Sequence, residues 1–152
     1  RYFGVESYDE SGEQLALLVN TTEPYDGYRP LDWGDNEITY RLAVEAMGEW
    51  TIEIIPLAPL PETAEHVLDI PGTYEGNGDD VILLPGGTPD TAVIAGNDSA
   101  SYFGVFGWTG TGVDVLVNTT EPFEGAKILS RDTFALEIEA KGQWTIEVTG
   151  AE

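Results

Sequence analysis

The sequence predicts an all-β protein: two tandem antiparallel β-sandwich units of jelly-roll or immunoglobulin-like type, the first lacking its opening hairpin. Three observations lead there. Two strings are each written twice: Leu18-Val19-Asn20-Thr21-Thr22-Glu23-Pro24 returns as Leu116-Val117-Asn118-Thr119-Thr120-Glu121-Pro122, and Glu45-Ala46-x-Gly48-x-Trp50-Thr51-Ile52-Glu53 returns as Glu139-Ala140-x-Gly142-x-Trp144-Thr145-Ile146-Glu147. Repetition on this scale marks a duplicated structural unit. Apolar and polar residues alternate at period two through the best segments, the pattern of a half-buried antiparallel strand. Glycine (18) and proline (9) divide the 152 residues into short runs, as in sandwiches and barrels.

Taken in order, Tyr2-Phe3-Gly4-Val5 pairs with Tyr102-Phe103-Gly104-Val105 as the first shared strand, and Leu15-Leu17-Val19 with Val113-Val115-Val117 as the second. Tyr40-Leu42-Val44-Ala46 and Phe134-Leu136-Ile138-Ala140 form the third. Through Met47-Gly48 and Lys141-Gly142 they lead into closing strands, in which Trp50, Ile52 and Ile54, and Trp144, Ile146 and Val148, point inward. Each such pair reads as a hairpin on a tight glycine turn, with both tryptophans in a core. The offset between copies shrinks from 100 (Tyr2 to Tyr102) to 98 (Asn20 to Asn118) and 94 (Trp50 to Trp144), so loops vary while strands persist.

Ahead of Tyr102 stand two further strand candidates, Val81-Ile82-Leu83-Leu84 and Thr91-Ala92-Val93-Ile94, which the first copy lacks. The division is therefore an incomplete first repeat over 1–57, a Pro-rich connector over 58–72 containing Pro59 and Pro61, and a complete second repeat over 73–152. The connector holds a possible extra strand, Val67-Leu68-Asp69-Ile70. Each missing inward aliphatic forfeits about 1.5–3 kcal/mol, and a few of them rival the roughly 5–15 kcal/mol net stability of a domain. Something is expected to fill the gap: residues 66–70 folding back, a strand from another molecule, or further chain upstream. An open sheet edge is also a template for pairing with a neighbour.

Charge narrows the partners. Against 28 Asp and Glu stand 6 Lys and Arg, a net charge of −22, and such a surface repels phosphate backbones and anionic lipid. Neither nucleic acid binding nor membrane insertion is expected, and no apolar run has the length of a membrane span. The absence of cysteine removes disulfides, thiolate metal sites and a cysteine nucleophile.

The opening Gly76-Asn77-Gly78-Asp79 and the closing Gly142-Gln143-Trp144-Thr145-Ile146-Glu147 resemble the tandem β-sandwich repeats of secreted and surface proteins of bacteria. The closing strand is similar, more loosely, to the pre-peptidase C-terminal sandwich appended to secreted hydrolases. What the resemblance implies is an extracellular or cell-surface, modular, non-enzymatic protein. It brings no catalytic motif, and a scaffold by itself does not give a function.

Among candidate sites, calcium is the only cofactor considered. Gly-rich acidic loops supply Asn77, Asp79 and Asp80 in one place and Asp32 and Asp35 in another, with Asp9-Glu10-Ser11-Gly12-Glu13 as a third loop. Oxygen-rich flexible loops suit this ion, but none has the alternating Asp-x-Asp-x-Asp-Gly spacing, and the same residues form ordinary turns. Asn20, Asn97 and Asn118 begin glycosylation triplets, the first and last in an Asn-Thr-Thr-Glu-Pro string able to bond its own backbone and end a strand. Trp33, Tyr28 and Trp108, with Tyr25 and Phe123, lie in or near expected loops, where exposed rings can stack on sugar faces; core packing is the alternative. Leu60-Pro61-Glu62-Thr63-Ala64 matches a sortase signal but is followed by a whole β unit, so the match reads as accidental. His66 is the only histidine, and no Ser-His-Asp or histidine–metal constellation can be assembled around it. The reading is a non-catalytic structural protein, a self-assembling surface or filament subunit joined by β-strand complementation at an open edge. The alternative is a carbohydrate-binding or adhesive module with a glycan partner.

Overall fold

A computed structural model describes residues 1–57, 66–85 and 88–151. It is all-β, with no helix among the described residues. The strands are β1 (Phe3–Tyr8), β2 (Gln14–Thr21), β3 (Arg41–Ala46), β4 (Gly72–Asn77), β5 (Asp80–Leu83), β6 (Pro89–Gly96), β7 (Phe103–Thr109), β8 (Gly112–Thr119), β9 (Phe123–Ile128), β10 (Ala135–Ala140) and β11 (Gln143–Gly150). The chain divides into two compact units, one of Arg1–Asp26 with Pro30–Ala64, the other of Gly27–Arg29 with Glu65–Glu152.

The second unit is a β-sandwich of two four-stranded antiparallel sheets, ordered β5-β10-β7-β8 and β4-β11-β6-β9. One apolar cluster joins them: Ile82, Phe103, Val105, Leu136 and Ile138 from the first sheet meet Ala92, Ile94, Trp144, Ile146 and Val148 from the second. Alternation along β11 puts these side chains inward and Glu147 outward, as a one-sided sheet requires. The strand β9 and the strand β4 lie outside the sequence reading, because Glu124-Gly125-Ala126-Lys127 and Gly72-Thr73-Tyr74-Glu75 carry too few large apolar residues to show a period of two.

The first unit has one sheet, three-stranded, ordered β2-β1-β3. It repeats the β8-β7-β10 arrangement down to an irregularity. A bulge between Val5 and Glu6 places Val19 and Leu17 opposite them, and the same bulge between Val105 and Phe106 places Val117 and Val115. One extra residue on the partner strand switches its faces, so Leu116 and Val117 are consecutive and both buried, whereas Leu17, Val113 and Val115 face solvent. Unbroken alternation through Leu15-Leu17-Val19 and Val113-Val115-Val117 does not hold.

Three further sequence expectations are corrected. The glycine turn at Lys141-Gly142 does not close a hairpin: β10 is flanked by β5 and β7, so the chain crosses to the other sheet and β11 pairs with β4 and β6. The stretch Val67–Ile70 is built into the second unit: Val67 bridges Leu83, Leu68 sits in its core and Ile70 packs against it. The closing strand of the first copy is no strand, and Trp50 (52% exposed) and Ile54 (65%) are not core. Their counterparts Trp144 and Val148 are 3% and 0% exposed. Of the connector, residues 58–65, including Pro59, Pro61 and the sortase-like string, lie outside the described residues.

The contrast is measurable. Replacing Trp144 by Ala removes a buried indole and is expected to cost about 3–5 kcal/mol in denaturant unfolding. The same change at Trp50 is expected to cost far less, about 1 kcal/mol or below, because half of that ring is already exposed.

Candidate functional site

The geometry of the second unit centres on Trp144, and the Gly76-Asn77-Gly78-Asp79 string is built to receive it. Trp144 pairs with Gly76 across β11 and β4, and a methyl group on Gly76 would lie 2.1 Å from the indole Cζ2. Only a residue without Cβ lets the ring lie on that backbone. The indole Nε1–H donates to the carbonyl of Gly78 at 2.9 Å, so the one polar atom of the buried ring is satisfied. Gly78 turns with φ of +85°, its N–H donating to the Gly142 carbonyl at 3.1 Å. The Asp79 carboxylate then accepts the Ala140 N–H at 2.9 Å. The turn between β4 and β5 is thereby clasped to the turn between β10 and β11, at the corner where both cross between sheets.

Beside this clasp lies a polar cluster. Arg29, from the Gly27–Arg29 segment, faces three carboxylates: Glu139 at 2.9 Å, Glu137 at 3.3 Å and Asp79 at 3.9 Å. Glu137, 7% exposed, also accepts the Trp108 indole N–H at 2.8 Å. Burial pushes the Glu137 carboxyl up, outweighing both that hydrogen bond and Arg29; one guanidinium is shared among three acids, so the ion pair does not hold Glu137 down. For Arg29, burial pulls the other way, yet Glu139 and its neighbours prevail and keep it firmly charged. Near it, Asp80 lies 2.9 Å from His66 Nδ1 and accepts the Val81 N–H at 2.7 Å; burial raises its carboxyl too. A row of rings runs from Tyr28 over His66 (4.0 Å) to Tyr74 and Trp144, the last two stacked at 5.9 Å and 13°.

Several of the acids considered for calcium make hydrogen bonds within the fold. Asp79 and Asp80 serve the clasp and the His66 pair, Asp32 accepts from the Thr39 N–H and hydroxyl at 2.8 and 2.6 Å with its own φ at 59°, and Asp9 accepts from Ser11 and Glu13. Asn77 and Asp35 are exposed. Among the described residues no three His, Asp or Glu side chains converge as a metal-holding group. The turn role is the one the geometry displays.

Of the glycosylation candidates, Asn20 and Asn118 are exposed on β2 and β8. The backbone bond expected of their string comes from the next residue: Thr21 Oγ1 accepts from Glu23 at 3.1 Å and Thr119 Oγ1 from Glu121 at 3.0 Å. Asn97 is 4% exposed, with φ of 70°; its amide donates to the Ser101 and Glu121 carbonyls and accepts the Ser101 N–H. That amide nitrogen is committed to the loop and unsuited to carry a sugar. Among the ring candidates, Trp108 lies on β7 with its N–H on Glu137, Tyr28 is 37% exposed against His66, and Trp33 is half-buried in the first unit. Tyr25 packs near Phe3 at 6.3 Å and Phe123 opens β9 against the core.

The first unit presents the counterpart of the clasp without its receiving half. The sequence alone does not single out Arg29, Glu137 or Glu139; their signal lies only in the buried position of Glu137 on an apolar strand. On the first unit, β3 has no neighbour on the side where β10 meets β5, and residues 50–55 pair with no strand among the described residues. Ile38 (70%), Tyr40 (69%), Met47 (72%) and Ile55 (50%) are exposed beside Trp50 and Ile54.

No family model, curated protein or solved structure matches this chain.

The polar cluster sets a pH response. A carboxyl whose folded value is raised holds its proton longer when folded, so its contribution is fully present below the ordinary carboxylate range and is lost as pH rises through the raised value. Melting temperature is therefore expected to increase as pH falls from neutrality toward the ordinary carboxylate range. Glu137→Gln, which keeps an acceptor for Trp108, is expected to flatten part of that slope in calorimetric scans. An unchanged slope would remove Glu137 as its source.

Proposed function

We propose that this chain is a non-catalytic structural protein of an extracellular or cell-surface assembly, a surface or filament subunit joined to neighbouring polypeptide by β-strand complementation at its first unit. The observation that carries this reading is the contrast between two copies of one sequence. In one, the closing tryptophan strand is the middle of a sandwich sheet; in the other, the same residues pair with no strand among the described residues, and Trp50 and Ile54 are exposed. Exposed apolar residues grouped this way, beside an open sheet edge, mark an interaction surface.

Chemistry supports the same reading. His66 points Nδ1 at Asp80 and Tyr74, while Nε2 is buried with no hydrogen-bond partner, so neither nitrogen is presented to a substrate as a general base must be. The polar groups of the second unit close turns and loops, leaving Trp108 poorly placed to grip a glycan through its N–H. A charge of −22 disfavours anionic partners. No helix among the described residues is long and apolar enough to cross a membrane. The resemblance to surface repeats of bacteria points the same way.

Light scattering across a concentration series, paired with acrylamide quenching of Trp50 against a Trp50→Phe control, tests the reading. Expected are concentration-dependent association and a readily quenched Trp50 at the dilute end. Leu42→Lys, a charge placed on the open edge strand, is expected to reduce the association severalfold. A strict monomer whose Trp50 is shielded from quencher would mean that the first unit is already sealed, and the reading would fall.

A further inference from the structure

Resting on that reading, we infer that the first unit is completed by a β-ribbon of one chemistry: a Gly-x-Gly-Asp turn flanked by a strand like Gly72–Asn77 and a strand like Asp80–Leu83, carried by another polypeptide. The second unit shows what such a ribbon does, because there it covers the residues that the first unit leaves bare.

The register transfers residue by residue. In the second unit β5 lies along β10 with Ile82 opposite Leu136 and Val81 opposite Glu137; the equivalents in the first unit are Leu42 and Ala43, on the unpaired edge of β3. Likewise β4 lies along β11 with Gly76 opposite Trp144 and Tyr74 opposite Ile146, and the equivalents are Trp50 and Ile52. Each polar feature of the clasp has an equivalent group in the first unit. Trp50 supplies the indole N–H that Gly78 receives in the second unit, Gly48 the turn carbonyl of Gly142, and Ala46 the N–H that Asp79 caps. A bulky residue in place of the first glycine would meet the indole as Gly76 with a Cβ would. Asp fits the final position because a carboxylate bonds the exposed N–H with charge assistance.

The test adds a synthetic peptide of residues 72–96, which contains no tryptophan, to the full 152-residue chain, with calorimetry for stoichiometry and the indole N–H signals followed by NMR. Expected are one peptide per chain, a shift of the Trp50 indole proton assigned by Trp50→Phe, and suppression of self-association. Peptides with Gly76→Val or Asp79→Ala are expected to bind about tenfold more weakly or worse, and a scrambled peptide not at all. Full-strength binding to the Trp50→Ala chain would show exchange at the second unit and overturn the inference. No binding by a chain whose Trp50 remains quenchable would overturn the donor assignment while sparing the reading of the first unit as an open acceptor. A monomer with shielded Trp50 that ignores the peptide would end both.

Discussion

An indole lying on backbone that has no Cβ is the contact on which the second unit depends. Trp144 can be 3% exposed only because Gly76 leaves room for it and because the Gly78 carbonyl takes its N–H. Burying that ring against a residue with a side chain would force the strands apart, and burying it without an acceptor would strand a polar atom. Both conditions are met by one short turn. The same turn carries the chain from the β4 sheet to the β5 sheet and holds the reverse crossing at Gly142. Packing, polar satisfaction and topology are thus settled at a single corner, which explains why glycine, glycine and aspartate stand at that spacing.

The two copies form an internal experiment on what makes a strand. Trp50-Thr51-Ile52-Glu53 and Trp144-Thr145-Ile146-Glu147 have the same residues in the same order, hence the same intrinsic preference. One sits between two hydrogen-bonded neighbours and the other has none among the described residues. Preference for the extended state is largely the preference of side chains for a pleated, half-covered surface; when the covering ribbon is missing, the pattern alone does not produce the ladder. The three strands that do have partners reproduce their counterparts, including the bulge opposite Val5 and Val105. That bulge survives because its partners are all local to the three-stranded sheet.

Acidity is handled differently in different places. Most carboxylates are solvated or close turns, as Asp9 and Asp32 do. Glu137 and Asp80 are instead drawn into the second unit, where burial opposes their charge. One arginine shared among three acids does not offset the burial of Glu137, whose carboxyl stays raised. Such a cluster fixes the position of the Gly27–Arg29 segment within its unit.

Read alone, the sequence determined the fold class, the repeated strand strings, and the inward face of Trp144, Ile146 and Val148. Those features follow from period-two patterning and from repetition, which are local properties of the text. It also located the Asn-Thr-Thr-Glu-Pro turn, though the bonding atom proved to be threonine Oγ1. Tertiary structure decided whether the glycine turn joins paired strands or two sheets, since that depends on which edges of β10 are already occupied. It decided that Leu68 serves the second core, that Asn97 is locked into its loop, and that Glu137 shares one arginine with Glu139 and Asp79. Above all it decided the fate of Trp50, because burial belongs to a residue together with whatever lies across from it, and the residue opposite is not written in the strand itself.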